Sequence, residues 1–423
     1  MEKNSKIYQA YVNILKEELL PAMGCTEPIA LAYAGAYARK ILGALPDKVV
    51  IDVSGSIIKN VKSVIVPNTG DMRGLDIAAA AGIVAGNPDK KLEVIAVVSP
   101  SQIEKIKDFA KNVPITINHV ENGFMFDMMV TLFKGESYAK VRIVNNHTNI
   151  VLVEKDGNKL VNKGTSLDKS KFTDRSVLNM HDIWDFINTL DVEDVKPILE
   201  PQIKYNMAIA ERGIHDNFGA NVGKTILAAF GNSVENRARA MAAAGSDARM
   251  NGCEEPVIIN SGSGNQGITV SVPIVVYAKE LKVSEDKLYR ALALGNLTSI
   301  HEKTPIGVLS AYCGAVSAGA GAGAGIAYLC GGGYEGVVTT VSNALAVVSG
   351  MICDGAGSSC AGKIAASVEA GIIGYKMYGK GQAYKGHDGI LGGDIEETIA
   401  NVGRLAKEGM ETTNNKILEI MVG

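Results

Sequence analysis

Four of the chain's six cysteines fall within residues 304–360, a stretch almost free of charged side chains. Three of them, Cys313, Cys353 and Cys360, are the residues best suited to chemistry. Three thiolates can hold an iron-sulfur cluster and leave one iron open. An open iron is a Lewis acid, whereas a fourth protein thiolate makes a cluster an electron carrier or a structural clip. Cys353 and Cys360 are separated by six residues whose glycines let backbone amides approach sulfide, and Cys313 lies 40 residues earlier. This spacing matches neither the compact ferredoxin run nor the Cys-x-x-Cys pairs of zinc sites, so on spacing alone buried free cysteines are the favoured account. Cys330 is the alternative ligand. His301 is the only histidine close to this region, and with no His-Glu-x-x-His pattern it reads as a core or capping residue.

A fifth cysteine, Cys25, stands in Gly24-Cys25-Thr26-Glu27-Pro28, just before an alanine-rich segment that reads as a helix with Thr26 available as its cap and Pro28 in its first turn. Peptide dipoles at a helix N-terminus favour an anion, so a thiolate near neutral pH is one expectation and an inert packed cysteine the other. Gly252-Cys253-Glu254-Glu255-Pro256 echoes the motif and makes Cys253 a rival to Cys25. Directly after it, Ser261-Gly262-Ser263-Gly264-Asn265-Gln266-Gly267 contains Gly-x-Gly-x-x-Gly behind an apolar run. Pro273 and the missing second strand with its acidic end argue against a dinucleotide site. Exposed amides ahead of a helix, beside Ser261, Ser263 and Asn265, suit a carboxylate instead, with a structural turn as the rival reading. Asn68 and Thr69, in a polar turn before another helix, either bind a ligand or cap that helix, and capping is the stronger account.

These residues must be positioned by a chain of 423 residues, long enough for two domains. Hydrophobic content of 47% and charged content of 21% indicate a folded protein, and a net charge of -3 gives no electrostatic reason to expect nucleic acid. Few cysteines in a long chain with a polar start indicate a reducing cytoplasm rather than a disulfide framework. Residues 304–334 carry no charge and reach the length of a membrane span. However, thirteen of the 27 residues from 304 to 330 are Gly or Ala and only six are Ile, Val or Leu, so a helix buried in a core is expected and no membrane partner. Helices are expected over 5–20 and 29–42, then strands over 49–53, 61–66, 92–98, 115–120, 128–133, 139–144 and 150–153, with helices over 71–86 and 100–112. Residues 154–175 read as a linker. Helices are then expected at 181–190, 192–213, 222–230, 234–246, 284–301, 334–351, 361–377 and 396–407. The fold class is α+β: N-terminal helices (1–44), an α/β domain with mixed sheet and linker (45–175), and a larger, mostly helical domain (176–423).

Taken together, the motif at Cys25, the motif at Cys253 with the Ser261–Gly267 run, and the three late cysteines resemble the L-cysteine desulfidase family, which is related to the iron-sulfur L-serine dehydratases. The resemblance covers nearly the whole chain. It implies an oxygen-sensitive [4Fe-4S] cluster on Cys313, Cys353 and Cys360, and conversion of L-cysteine to pyruvate, ammonia and hydrogen sulfide without pyridoxal phosphate. Cys25 would be the base. The Ser261–Asn265 run, Gly262 and Gly264 included, would hold the substrate carboxylate, with Thr26, Glu27, Asn68 and Thr69 as further candidates. Because Cys25 is far in sequence from the ligands, the site is expected at the domain interface. The related dehydratases carry a histidine-bearing Ser-Ser-His-Thr segment where this chain has its Gly-Cys-Thr-Glu-Pro motif, which favours cysteine over serine as substrate. Serine dehydration is the runner-up, and a non-catalytic amino-acid sensor with a structural cluster is the reading from another class. A homodimer is compatible with all three.

Overall fold

The computed structural model describes residues 1–165, 172–307 and 309–422. The chain opens with α1 (Lys6–Glu18), strand β1 (Pro21–Met23) and α2 (Thr26–Leu42). Ser5 caps α1 by accepting from the Tyr8 amide, and Gly43, at φ 81°, ends α2 in the left-handed conformation that glycine adopts without strain. Next come β2 (Lys48–Val53), α3 (Gly55–Val61), α4 (Leu75–Ala85), α5 (Pro100–Asn112), β3 (Ile115–His119), β4 (Asp127–Lys134), β5 (Ser137–Val144), β6 (Ile150–Lys155) and β7 (Asn158–Asn162). The last six strands form one sheet in the order β3-β2-β4-β5-β6-β7, parallel only between β2 and β3. Helix α2 lies on β4 and β5, and α4 packs on α2 so closely that a side chain at Gly82 would overlap the Ala32 carbonyl.

The second half is helical: α6 (Met180–Thr189), α7 (Lys196–His215), α8 (Val222–Phe230), α9 (Val234–Met250), the short strand β8 (Pro256–Ile258), α10 (Gly264–Leu281), α11 (Glu285–Ile306), α12 (Gly314–Leu329), α13 (Gly333–Val348), α14 (Cys360–Tyr378), α15 (Ile395–Arg404) and α16 (Glu411–Val422). The uncharged stretch is α12, surrounded by α10, α11, α13 and α14. Its glycines permit this. Gly319 abuts the Ser367 backbone, Gly321 the Gly295 carbonyl and Gly323 the Gly371 backbone. Among the described residues no helix is long and apolar enough to cross a membrane. The architecture is α+β, a mixed sheet followed by a helical region.

Three local expectations fail for physical reasons. The apolar run 61–66 finishes α3 and then makes only one bridge, Ile65 to Arg73. Residues 92–98 finish a 3-10 turn (Pro88–Glu93) and continue as loop, with Val97 88% exposed and the Ile95 carbonyl accepting from Asn68 Nδ2 instead of a neighbouring strand. The segment read as a linker begins with a hairpin, turning at Asp156 and Gly157 (φ 50° and 82°) into β7, the Asp-Gly pair a tight hairpin needs. The rest of that segment includes residues 166–171, which lie outside the described residues. The helix expected behind the Ser261–Asn265 amides is α10, whose extent was not delimited because Gly264, Gly267 and Pro273 disguise it.

Candidate active site

Both halves of the chain meet at one cleft, lined by Cys25, Thr26, Glu27, Asn60 and His147 from the first half. The second half contributes Arg249, Ser261, Gly262, Ser263, Asn265, Gln266, Lys303, Cys313, Cys353 and Cys360, among others. Backbone pairing explains how Cys313 meets Cys353 across 40 residues. Tyr312 and Ile352 form an antiparallel bridge, the Cys313 amide donates to the Met351 carbonyl (3.1 Å) and the Cys353 amide to the Ala311 carbonyl (2.5 Å). Cys360 starts α14, and its thiol approaches the Gly355 carbonyl at 3.8 Å. Gly355, at φ 103°, lies against the Lys59 backbone where no side chain would fit.

The three thiols suit a shared cationic group. Burial, then the neighbouring Cys353, pushes the Cys313 thiol up to about 12, and burial likewise raises Cys360. Buried thiols that repel one another's charge become good ligands only when a metal supplies the positive charge. Two buried ammonium groups stand close by. Lys59 donates to the Cys353 carbonyl (3.1 Å) and to Asn414 Oδ1 (2.8 Å), and burial lowers its pKa. Burial brings Lys303 down to about 8 against the pull of Cys353 and Cys313. Four helix N-termini also converge here: Cys25 caps α2, Ser263 caps α10, Cys313 caps α12 and Cys360 opens α14. Their partial positive charges favour anionic occupants.

Across the cleft, Glu27 ties together a small network. The Cys25 thiol donates to Glu27 Oε2 (3.2 Å), Asn60 Nδ2 donates to Oε1 (3.4 Å), and Thr26 Oγ1 is 3.1 Å from both Oε2 and the Gly262 carbonyl. The helix terminus does not by itself give Cys25 a low pKa. Burial, then the Glu27 charge, raises the thiol well above its ordinary value, and Arg249 opposes them.

Arg249 and His147 are among the lining residues that were not anticipated. Arg249, near the end of α9 and 3% exposed, donates through Nη1 to Asn265 Oδ1 (3.1 Å), while its Nε and Nη2 have no partner among the described residues. The available signal was a charged residue in the small-residue run 240–250. His147 comes from the turn after β5, packs edge-on to Phe126 and leaves Nε2 unpartnered; burial lowers its pKa. Nothing around His147 in the sequence marks it.

The structure brings Cys25, Thr26, Glu27, Ser261, Gly262, Ser263, Asn265 and the three late cysteines into this one lining. Asn68 and Thr69 are not part of it: Asn68 holds the Ile95 carbonyl and Thr69 Oγ1 donates to the Val66 carbonyl (2.6 Å), both fixing their own loop. Gly264 supports the lining from behind, against Arg249. Cys253 is buried outside the cleft, Cys330 caps the far end of α12, and His301 pairs with Glu396 (2.7 Å).

A family model described as serine dehydratase alpha chain matches residues 89–419. A UPF0597 protein of Desulfitobacterium hafniense (strain Y51) is 55% identical over 424 residues, spanning 100% of this chain and 98% of that protein. UPF0597 proteins of Lachnoclostridium phytofermentans and Treponema denticola are 48% and 44% identical, covering 98% and 100% of this chain and 100% of each relative. With most of its length matched by that model, the chain belongs to the serine dehydratase alpha-chain family.

Proposed function

We propose that the protein is a [4Fe-4S]-dependent L-cysteine desulfidase, a carbon-sulfur lyase of the cytoplasm acting on a small molecule. The observation that carries this reading is the meeting of Cys313, Cys353 and Cys360 with the Cys25–Glu27 pair in one cleft. Cys313, Cys353 and Cys360 would hold the cluster, whose open iron supplies a Lewis acid that makes sulfide a better leaving group.

The chain's own residues supply the rest. Cys25 takes the proton from the α-carbon, a general-base step, and the proton its thiol carries at rest has Glu27 as its acceptor. The electrons of the broken C–H bond form the Cα–Cβ double bond as the Cβ–S bond breaks and hydrosulfide leaves. The product, 2-aminoacrylate, tautomerises to an imine, and one water hydrolyses it to pyruvate and ammonia. Lys59 and Lys303 lower the cost of gathering negative charge at this end of the cleft. The Ser261–Asn265 run and Thr26 border the space for the amino-acid end.

A second reading, L-serine dehydration, is favoured by the family description itself. An anaerobic assay on iron-reconstituted protein separates them. Sulfide and pyruvate should form in equal amounts from L-cysteine, with catalytic efficiency at least about tenfold above that for L-serine. The reverse order assigns serine dehydration, and binding of either amino acid without product rejects both readings.

A further inference from the structure

Arg249 is a buried cation with two of its three guanidinium nitrogens unpartnered among the described residues. Among the described residues it pairs with no carboxylate, and its single side-chain partner is Asn265 through Nη1. The unpartnered nitrogens are Nε and Nη2. Their N–H bonds lie on one edge of the guanidinium plane, parallel to each other, in the arrangement that takes both oxygens of a carboxylate. A buried guanidinium without a counter-charge is costly, so a ligand anion would complete it.

The surroundings keep that edge in place. Asn265 holds Nη1 from the first turn of α10, which fixes the plane of the group. Gly264 makes the close approach possible, since a Cβ there would collide with Nε and lie 2.7 Å from Cζ. Ser263, the cap of α10, and Cys25, the cap of α2, line the same space, so two helix N-termini reinforce the preference for an anion. Among the described residues Glu27 is the one carboxylate in the lining, and it is engaged with Cys25, Thr26 and Asn60.

We propose that the Nε–Nη2 edge of Arg249 binds the α-carboxylate of the substrate, so that the cleft selects free α-amino acids and rejects the same side chain carried in an amide, an ester or a peptide. The inference rests on the lyase reading for the identity of the ligand, but not for the existence of the carboxylate site. It assigns the leading role to an arginine, with the Ser261–Asn265 run holding that arginine and closing the pocket around it.

The test uses anaerobic holoenzyme and the variants Arg249→Lys and Arg249→Gln, with iron content and circular dichroism confirming folded, loaded protein. Steady-state kinetics are measured with L-cysteine and L-cysteinamide. Binding of L-cysteine, L-serine and L-alanine, each against its carboxamide, is measured by calorimetry. Wild-type protein should prefer each free acid over its amide by roughly 30- to 100-fold, the size expected for a charged bidentate contact. Arg249→Gln should raise KM for L-cysteine by a similar factor, raise that for the amide far less and abolish the preference, while Arg249→Lys recovers part of it. Equal loss for acid and amide, or an unchanged KM, overturns the proposal. Wild type that releases no sulfide yet keeps an Arg249-dependent preference for free acids would sink the lyase reading and leave the carboxylate site standing. Equal binding of acids and amides by wild type removes the site itself.

Discussion

At the scale of single residues, the thiol of Cys25 donates a hydrogen bond to the carboxylate of Glu27 across 3.2 Å. Cys25→Ser keeps this hydrogen bond but offers a far weaker base. Turnover should therefore fall by about 10²-fold or more while iron content and visible absorbance stay at the wild-type level. Bleaching of that variant would make Cys25 a ligand instead. Cys330→Ser, altered outside the cleft, should change neither colour nor rate. Glu302, in α11, carries a different message. It is 1% exposed, neither carboxyl oxygen has a hydrogen-bond partner among the described residues, and burial raises its pKa well above the ordinary value despite the nearby Ser317 hydroxyl. The folded protein thus keeps a proton that the unfolded chain releases above about pH 4.5. This stabilises the fold at low pH and is lost as pH rises, at about 1.4 kcal/mol per unit while the folded state alone holds the proton. Glu302→Gln should remove that slope, so urea midpoints of variant and wild type should diverge in the variant's favour between pH 5.5 and pH 8. Parallel curves would show that Glu302 ionises in the fold.

At the scale of elements, the long amphipathic helices and the strands β2 to β6 were legible, because their apolar periods continue long enough to choose between helix and strand. Short apolar runs were not: residues 61–66 and 92–98 have strand composition, but no neighbouring strand is there to pair with them. The late cysteines and the loop before α10 were picked out by residue type and motif, whereas Arg249 was not, since its role depends on where α9 ends relative to α10. Close helix packing supplies the prediction at this scale. Gly82→Ala drives a methyl group into the Ala32 backbone and should cost about 1–3 kcal/mol, read as a lower urea midpoint. Gly362→Ala, in α14 with nothing within 4 Å of its Cβ position, should be neutral or stabilise by up to about 1 kcal/mol. A Gly82→Ala protein as stable as wild type would show that α2 and α4 can separate at little cost.

At the scale of the whole molecule, the cleft exists only when both halves are in place. Lys59, from α3, links them by reaching the carbonyl of Cys353 and the side chain of Asn414 in α16. Asn414→Leu leaves a buried ammonium short of an acceptor. It should cost about 1–3 kcal/mol and hasten iron loss to a chelator, and an unchanged rate of loss would show that α16 does not steady the cysteine loop. A second tie is small: β1 pairs with β8, with Met23 opposite Pro256, so Cys25 is anchored by residues made some 230 positions later. At ordinary synthesis rates of about 5–20 residues per second, the first motif waits on the order of ten seconds or more for its partner strand, and longer for Cys360. On the proposed reading, iron loading would follow synthesis of nearly the whole chain, because Cys360 is the last of the three thiols to be made.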